Sequence, residues 1–484
     1  MKKICFSIAL LLSGMTFAQS NFYKQYSSNG YDFAEGVAYL AGTNEFLITG
    51  SSSSFDDAPS QMYVLKVNGN GEYIWSRHFG DVEADGGKRI IVLADGSYYV
   101  GGYSQSSDAT GYEMAVWYFD ANDQLQWFKK YGTNGFEQLA DMVLTADNGL
   151  ILLGETNSTV DGFADDFIVR IDANGDEVWR TQIESERENK SKSILLLNAT
   201  DFVVVGEKYE VTDDRRSSVV YQISQADGSI LQELVFQTGV SSAFNDVYFV
   251  NPDYLFITGE YINTDGISGS GWYKLNRVTG VMETNELNTG NMKARSVGIC
   301  KYGNDMAVAI EHNGQFSHGL WDIDILLAAD PFYWVDGLIG INHLSNQRFG
   351  QMISLPDNGL IAVGSNTEWG TGGSSIFITR KINGTPFYQP TNYNSWQPLV
   401  SVETVQPISN LSIFPNPTTE GWKITVDEGN YKVEILSTDG RSQKVIEITN
   451  SQTLELDDLP AGSYLVVVTD LNGLNQSIWK GVKL

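Results

Sequence analysis

Between Lys88 and Tyr131 the chain alternates short apolar runs with polar breaks, and every run is long enough for a strand and too short for a helix. Lys88–Leu93 is rich in β-formers, Ala94-Asp95-Gly96 reads as a turn, and Ser97–Gly101 is a second run. A polar stretch follows from Tyr103 to Gly111. Met114–Phe119 is a third run, Asp120–Asp123 a second turn, and Leu125–Tyr131 a fourth run. Apolar runs separated by Asp, Asn and Gly are hairpin chemistry, so the pattern predicts four antiparallel strands. No stripe with a 3.6-residue period occurs before residue 390, which excludes a helical solenoid.

The pattern repeats. Trp75, Trp127 and Trp179 end equivalent segments and are spaced 52 residues apart. Four strands in such a period describe one blade of a β-propeller. The end of the second strand supplies a landmark in each unit: Thr49-Gly50, Val100-Gly101, Leu153-Gly154, Val205-Gly206, Thr258-Gly259, Ala309-Ile310 and Val363-Gly364. Seven landmarks predict seven blades. The last unit runs into prolines after Ile382 and lacks a fourth strand. Phe22-Tyr23-Lys24-Gln25-Tyr26 matches Trp127-Phe128-Lys129-Lys130-Tyr131 in spacing, so the N-terminal strand 22–27 is expected to complete that blade and remove free sheet edges. The strand-end glycines are expected to permit close backbone approach, and the tryptophans to pack between blades.

After the propeller pattern, which spans 19–384, the composition changes. Residues 385–410 carry prolines among Tyr and Asn, as in a semi-rigid linker. Residues 411–484 alternate strand-like runs with Gly, Asp and Pro turns, which predicts a small β-sandwich. The expected fold is therefore all-β, a seven-bladed β-propeller followed by a small C-terminal β-sandwich.

Lys and Arg total 31 against 59 Asp and Glu, a formal charge of −28 that argues against nucleic acid and anionic membranes as partners. Met1-Lys2-Lys3, the apolar run Ile4–Leu12 and Thr16-Phe17-Ala18 read as a secretory signal peptide over residues 1–18. Cys5 leaves with that peptide, so Cys300 stands alone and no intramolecular disulfide is expected. His78, His312, His318 and His343 are scattered, which argues against a histidine-rich metal site.

Two resemblances add to this reading. The repeat resembles that of secreted Bacteroidetes proteins with propeller-type domains, and Ile171–Trp179 is similar to the tryptophan-docking motif of pyrroloquinoline-quinone propellers. Asn174-Gly175 stands where that motif has Thr-Gly, and no vicinal cysteine pair exists, so blade packing is expected and no cofactor. Residues 411–484 resemble the type A C-terminal sorting domain of type IX secretion. The resemblance rests on Phe414-Pro415-Asn416-Pro417, the Asp439-Gly440 turn, Leu459-Pro460-Ala461-Gly462-Ser463-Tyr464 and the terminal strand with Lys480. It implies handling by the type IX machinery, secretion or surface display, removal of the sorting domain, and release of the cargo or its linkage to lipopolysaccharide.

Candidate sites lie in two places. The polar loops between second and third strands carry Asp56, Asp57, Asp108, Asp161, Asp165 and Asp166 with Tyr103, Phe163 and Trp369, a set suited to a sugar or a calcium ion. Counting back from each landmark gives a second set, Glu35, Arg89, Asp141, Lys192, Asp246, Arg295 and Gln351. That set is either a polar channel mouth or a circle of inter-blade ion pairs. Ligand-binding expectations therefore fall on Glu35, Asp141, Asp246, Asp108, Asp165 and Trp369. No nucleophile elbow, zincin motif or phosphate loop occurs. The expected function is a secreted binding or adhesion module for an extracellular glycan or protein. The alternatives are a carbohydrate-active enzyme using Glu35, Asp141 and Asp246, and a non-catalytic scaffold.

Overall fold

A computed structural model describes residues 21–484 apart from 28–29, 55–58, 81–82, 106–110, 134, 160–161, 186, 212–213, 288–292, 314–320, 330–332, 341–345, 368–372, 384–395, 399–410, 420, 427–428, 438–441, 457 and 471–475. The expected signal peptide, Asp56, Asp57, Asp108, Asp161 and Trp369 lie outside the described residues. So does the expected linker, except Trp396–Pro398.

Every described element is a strand, and repeated blades of four antiparallel strands form a propeller. Blade one consists of Asp32–Leu40, Glu45–Ser52, Gln61–Asn68 and Tyr73–Phe79. Sheets of the same order begin at Asp85, Glu137, Asn189, Ser241, Lys293 and Asn346, and are called blades two to seven. The first strand of each blade touches the first strands of both neighbours, including blade seven with blade one, so these strands form a closed ring about the axis. The second and third strands supply most of the core. Leu47, Val64, Val100 and Ala115, for example, bury completely between blades one and two.

Each first strand carries a bulge at the same place. Pairing with the second strand skips Glu35, Lys88, Ala140, Lys192, Asn245, Val297 and Gly350 in blades one to seven. A bulge bends the strand and pushes the carbonyl on its N-terminal side toward the partner strand. A Cβ on Gly50, Gly102, Gly154, Gly206, Gly259 or Gly364 would crowd the carbonyl oxygen of Phe33, Gly86, Gln138, Lys190, Ala243 or Arg348, respectively. The landmark glycine is thus the partner of the bulge. The equivalent residue in blade two is Gly102, one position beyond the Gly101 chosen from the sequence, because Gly102 faces Gly87 as Gly50 faces Ala34. Blade six alone places a side chain there, Ile310, which is buried opposite Ser296.

The fourth-strand aromatics dock on the following blade. The Trp127 ring lies where a Cβ on Gly175 would sit at 2.8 Å, and Trp179 stands in the same relation to Gly228, also at 2.8 Å. Both glycines have φ near +75°, a left-handed conformation that carries no penalty without a side chain. The Tyr131 hydroxyl donates to the Gly175 carbonyl at 2.7 Å. Blade two has Asp123 at this turn with φ +62°, and blade one answers with Arg77, whose Nη1 donates to the Asp123 carbonyl at 2.7 Å.

Phe22–Ser27 repeats this docking. It pairs antiparallel with Ser374–Lys381, Phe22 opposite Arg380 and Tyr26 opposite Ile376, and so occupies the fourth position of blade seven. The Phe22 ring approaches the Cβ position of Gly71 at 2.6 Å, and the buried Tyr26 hydroxyl donates to the Gly71 carbonyl. Phe22 and Tyr26 therefore do for blade one what Trp127 and Tyr131 do for blade three. The buried Arg380 adds a bond from Nη1 to the Gly69 carbonyl at 2.9 Å. On its other side Phe22–Ser27 pairs in parallel with Trp396–Pro398, giving this sheet a fifth strand.

The C-terminal strands form a three-stranded and a four-stranded sheet around Trp422, Ile424, Val433, Tyr464 and Val466. Trp422 and Tyr464 meet edge to face at 6.3 Å, and the Tyr464 hydroxyl donates to the Pro460 carbonyl at 2.6 Å. Phe414 ends the strand Ser412–Phe414 and is exposed, while Pro415 and Pro417 follow cis peptide bonds. The Asn416 Oδ1 accepts the Val482 amide at 2.8 Å, Gly462 pairs with Lys483, and Lys480 pairs with Leu465.

Gly206→Val is expected to destabilise the ring by about 1–3 kcal/mol, as overpacking a tight site does. Urea unfolding of the full chain against wild type measures the loss.

Candidate functional site

The axial candidates owe their positions to the bulges. The residue after each bulge is Gly36, Arg89, Asp141, Ser193, Asp246, Gly298 or Gln351, and each pairs with the residue before the landmark. Of the seven residues selected by spacing, Arg89, Asp141, Asp246 and Gln351 share this tier. Glu35 and Lys192 are bulge residues one step earlier, and Arg295 lies two residues before its bulge. The set therefore spans three levels.

Within the shared tier, acceptors cap amides of the next blade. Asp141 Oδ2 accepts the Ile194 amide at 3.1 Å, Asp246 Oδ2 the Ile299 amide at 2.8 Å, and Gln351 Oε1 the Val37 amide at 2.9 Å. These amides lie on the open edge of the innermost strands, where an unpaired buried N–H costs about 1–3 kcal/mol. Arg89 sits between acceptors. Its Nε donates to Asp141 Oδ1 at 2.8 Å and its Nη1 to the Glu35 carbonyl at 3.2 Å, so one guanidinium spans blades one to three.

Ser193 Oγ lies 3.2 Å from Asp141 Oδ2 and 2.8 Å from Asp246 Oδ1. One hydroxyl has one proton to give. Burial, then the neighbouring Asp141 charge, push the Asp246 carboxyl up to about 6. A protonated Asp246 can donate to Ser193, which then donates to Asp141. Glu35 behaves oppositely. Burial would raise its carboxyl, but Lys88 at 2.9 Å, Arg348 at 2.8 Å and the nearby Arg89 outweigh that and hold it below the usual carboxylate range.

A second buried layer fixes the crossovers between blades. Glu137 accepts from Thr133 and, at 2.7 Å, from the Thr156 hydroxyl, while Asn189 Nδ2 donates to the Ile183 carbonyl at 3.3 Å. Asp32 accepts from Ser52 and Ser54 at the equivalent place in blade one. Asp165 accepts the Ser185 amide and hydroxyl, each at 3.2 Å, and is fully buried, so the structure places it at a crossover. Its neighbour Asp166 faces blade four, where it receives the Ser191 amide and bonds the Ser191 hydroxyl at 2.6 Å. Burial pushes the Asp166 carboxyl up to about 8.

The landmark also conceals a pattern that spacing alone did not reveal. The residue after it is Glu155, Glu207, Glu260 and Glu311 in blades three to six, and these pair with Lys190, Arg216, Lys192 and Arg295 at 3.8, 3.6, 3.8 and 2.7 Å. A search for glutamate beside each landmark would have found it. Among the described residues, no three His, Cys, Asp or Glu side chains cluster so as to hold a metal ion.

Asp166 gives a pH test. Its folded carboxyl titrates near 8 against an ordinary value of 3.8, so its contribution to stability is complete below about pH 4 and is lost as pH rises through 8. Asp166→Asn keeps the bonding of the protonated acid. The Tm difference, variant minus wild type, is expected to grow from pH 4 to 8 and to level off above. Melting curves at five pH values check this.

Residues 412–480 match the family described as a secretion system C-terminal sorting domain. No curated protein matches the chain significantly. Among solved structures the chain is similar to one from a mitotic checkpoint complex, at 10% identity and TM-score 0.48, covering 79% of this chain and 100% of that chain. It is similar to PorZ, a bacterial surface component of the type IX secretion system of Porphyromonas gingivalis, at 11% identity and TM-score 0.33, covering 96% and 70%. It is also similar to the periplasmic gluconolactonase PpgL of Pseudomonas aeruginosa, at 8% identity and TM-score 0.41, covering 63% and 85%. By its own sheet topology the chain is a propeller protein, and its residues 412–480 are a sorting domain of type IX secretion, which directs it to the cell surface or the extracellular space.

Proposed function

We propose that the chain is a non-catalytic binding or adhesion module, carried outside the cell by its sorting domain and presenting the loop face of the propeller to a ligand. In this reading residues 19–384 form the ring, 385–410 link it to the sorting domain, and 411–484 serve export. One observation carries the preference for binding over catalysis. The carboxylates best placed for acid–base work at the axis, Glu35, Asp141 and Asp246, are each engaged by at least two groups from neighbouring blades. General acid–base catalysis requires a carboxyl within reach of substrate. These hold the ring together instead.

The direct test is binding of the full-length chain to immobilised extracellular glycans and proteins, with reducing-end release read in parallel. Saturable binding without turnover is expected. Asp141→Asn and Asp246→Asn are expected to lower Tm while leaving affinity within about threefold, a change of less than one kcal/mol. Turnover abolished by Glu35→Gln, Asp141→Asn or Asp246→Asn would establish the enzyme reading instead.

Deleting residues 411–484 is expected to leave the protein inside the outer membrane of a type IX-competent host. Immunoblots of periplasmic, surface and medium fractions check this.

A further inference from the structure

The repeats provide an internal control that separates what a blade needs from what one blade adds. In blades one, two and three, an amide past the second-strand landmark bonds a carbonyl of the preceding crossover. The pairs are Ser53 to Tyr31 at 2.9 Å, Gln105 to Ala84 at 3.0 Å and Asn157 to Phe136 at 3.2 Å. Blade four makes the same bond, Tyr209 to Glu188, at 2.9 Å. The residues beside it differ. Blades one and three pair Gly30 with Ser53 and Gly135 with Asn157, and the Ser53 and Asn157 side chains turn inward to accept the Tyr31 and Phe136 amides. Blade four places Arg187 and Tyr209 at these positions. Their side chains turn outward and stack, with the guanidinium carbon 4.5 Å from the Tyr209 ring centre. The crossover closes without this pair in three other blades, so the pair is not required to build the blade.

Two further segments converge on it. Phe163, from the loop between the second and third strands of blade three, is 40% exposed, and its ring centre lies 5.9 Å from the Arg187 guanidinium. Asp214, in the hairpin turn of blade four, accepts from Arg187 Nη1 at 3.2 Å and from the Tyr209 hydroxyl. That hairpin, Asp201–Glu210 and Arg215–Ser224, has ten-residue strands, against seven in Leu150–Thr156 and Asp165–Ile171 of blade three. The extension raises Tyr209 past the level at which the blade-three strand ends.

We propose that Phe163, Arg187, Tyr209 and Asp214 form a carbohydrate-binding platform for a neutral polysaccharide, an inference that rests on the binding reading above and names its ligand. Two aromatic rings offer apolar faces to the C–H side of a pyranose. The guanidinium, carboxylate and phenol offer fixed donors and an acceptor to its hydroxyls. The chain's charge of −28 selects against acidic polymers.

The test uses the full chain and immobilised mannan, laminarin, xyloglucan and galactan. Two variants are compared with wild type: Phe163→Ala, and Arg187→Gly combined with Tyr209→Ser, which installs the pair found in blade one. Wild type is expected to hold at least one of these glycans. Both variants are expected to bind it at least about tenfold more weakly, the loss typical of an aromatic or arginine anchor, at unchanged Tm. Undiminished glycan binding in both variants overturns the platform and leaves the binding function standing. Capture of a protein or an acidic polymer, with all four neutral glycans refused, overturns the ligand class. No saturable ligand of any kind takes down both proposals.

Discussion

The open edge of the first strand is the constraint around which this ring is organised. Seven such edges converge on one axis, and each presents backbone amides that its own sheet does not pair. A bulge at one repeated position bends each strand, and in blades two, three, four, five and seven the side chain that follows it reaches a neighbouring blade. Asp141, Asp246 and Gln351 then cap amides of blades four, six and one. Arg89 and Ser193 fill the places between acceptors. The landmark glycine follows from the same bulge, because the displaced carbonyl leaves no space for a Cβ.

This arrangement explains why acidic residues at a propeller centre are poor indicators of chemistry. A carboxylate is the side chain best able to accept two amides at once, so a ring that must satisfy backbone donors selects Asp for structural reasons. The upward shift at Asp246 and the downward shift at Glu35 have structural causes as well: burial and then the like charge of Asp141 in one case, and in the other the cations Lys88, Arg348 and Arg89, which outweigh burial. A perturbed carboxyl in a cleft suggests function only where its partners leave it reachable.

The architecture was legible in the sequence because docking repeats at fixed intervals. Trp127 and Trp179 each need a left-handed turn in the next blade, and Gly175 and Gly228 supply it, so both partners recur together. Phe22 and Tyr26 could be matched to Trp127 and Tyr131 because they meet the same demand at Gly71. The axial residues were only partly legible. The residue after the bulge stands 14 positions before Gly50 but 13 before Gly154 and Gly206, so counting back 12 to 15 residues from a glycine admits the bulge residue as well as the one after it. A slip of one residue reverses the face of a strand, which is how Glu35 and Lys192 came to be grouped with Asp141. Arg187 and Tyr209 were not legible at all, since they are 22 residues apart and meet only through the crossover.

The assignment of Phe22–Ser27 to blade seven also bears on the order in which the protein can be made. The first strand to be synthesised must wait for Ser374–Lys381, the last strand of the ring, before its backbone groups are paired. Until then blade one lacks its neighbour, and Gly71 lacks the ring that packs on it. Six sheets can form in sequence behind a growing chain, while the seventh joins the two ends and is completed only once nearly all of the propeller exists. Vectorial synthesis therefore keeps this closing contact for the final step, and a chain interrupted before residue 374 is an open arc with two unsatisfied faces.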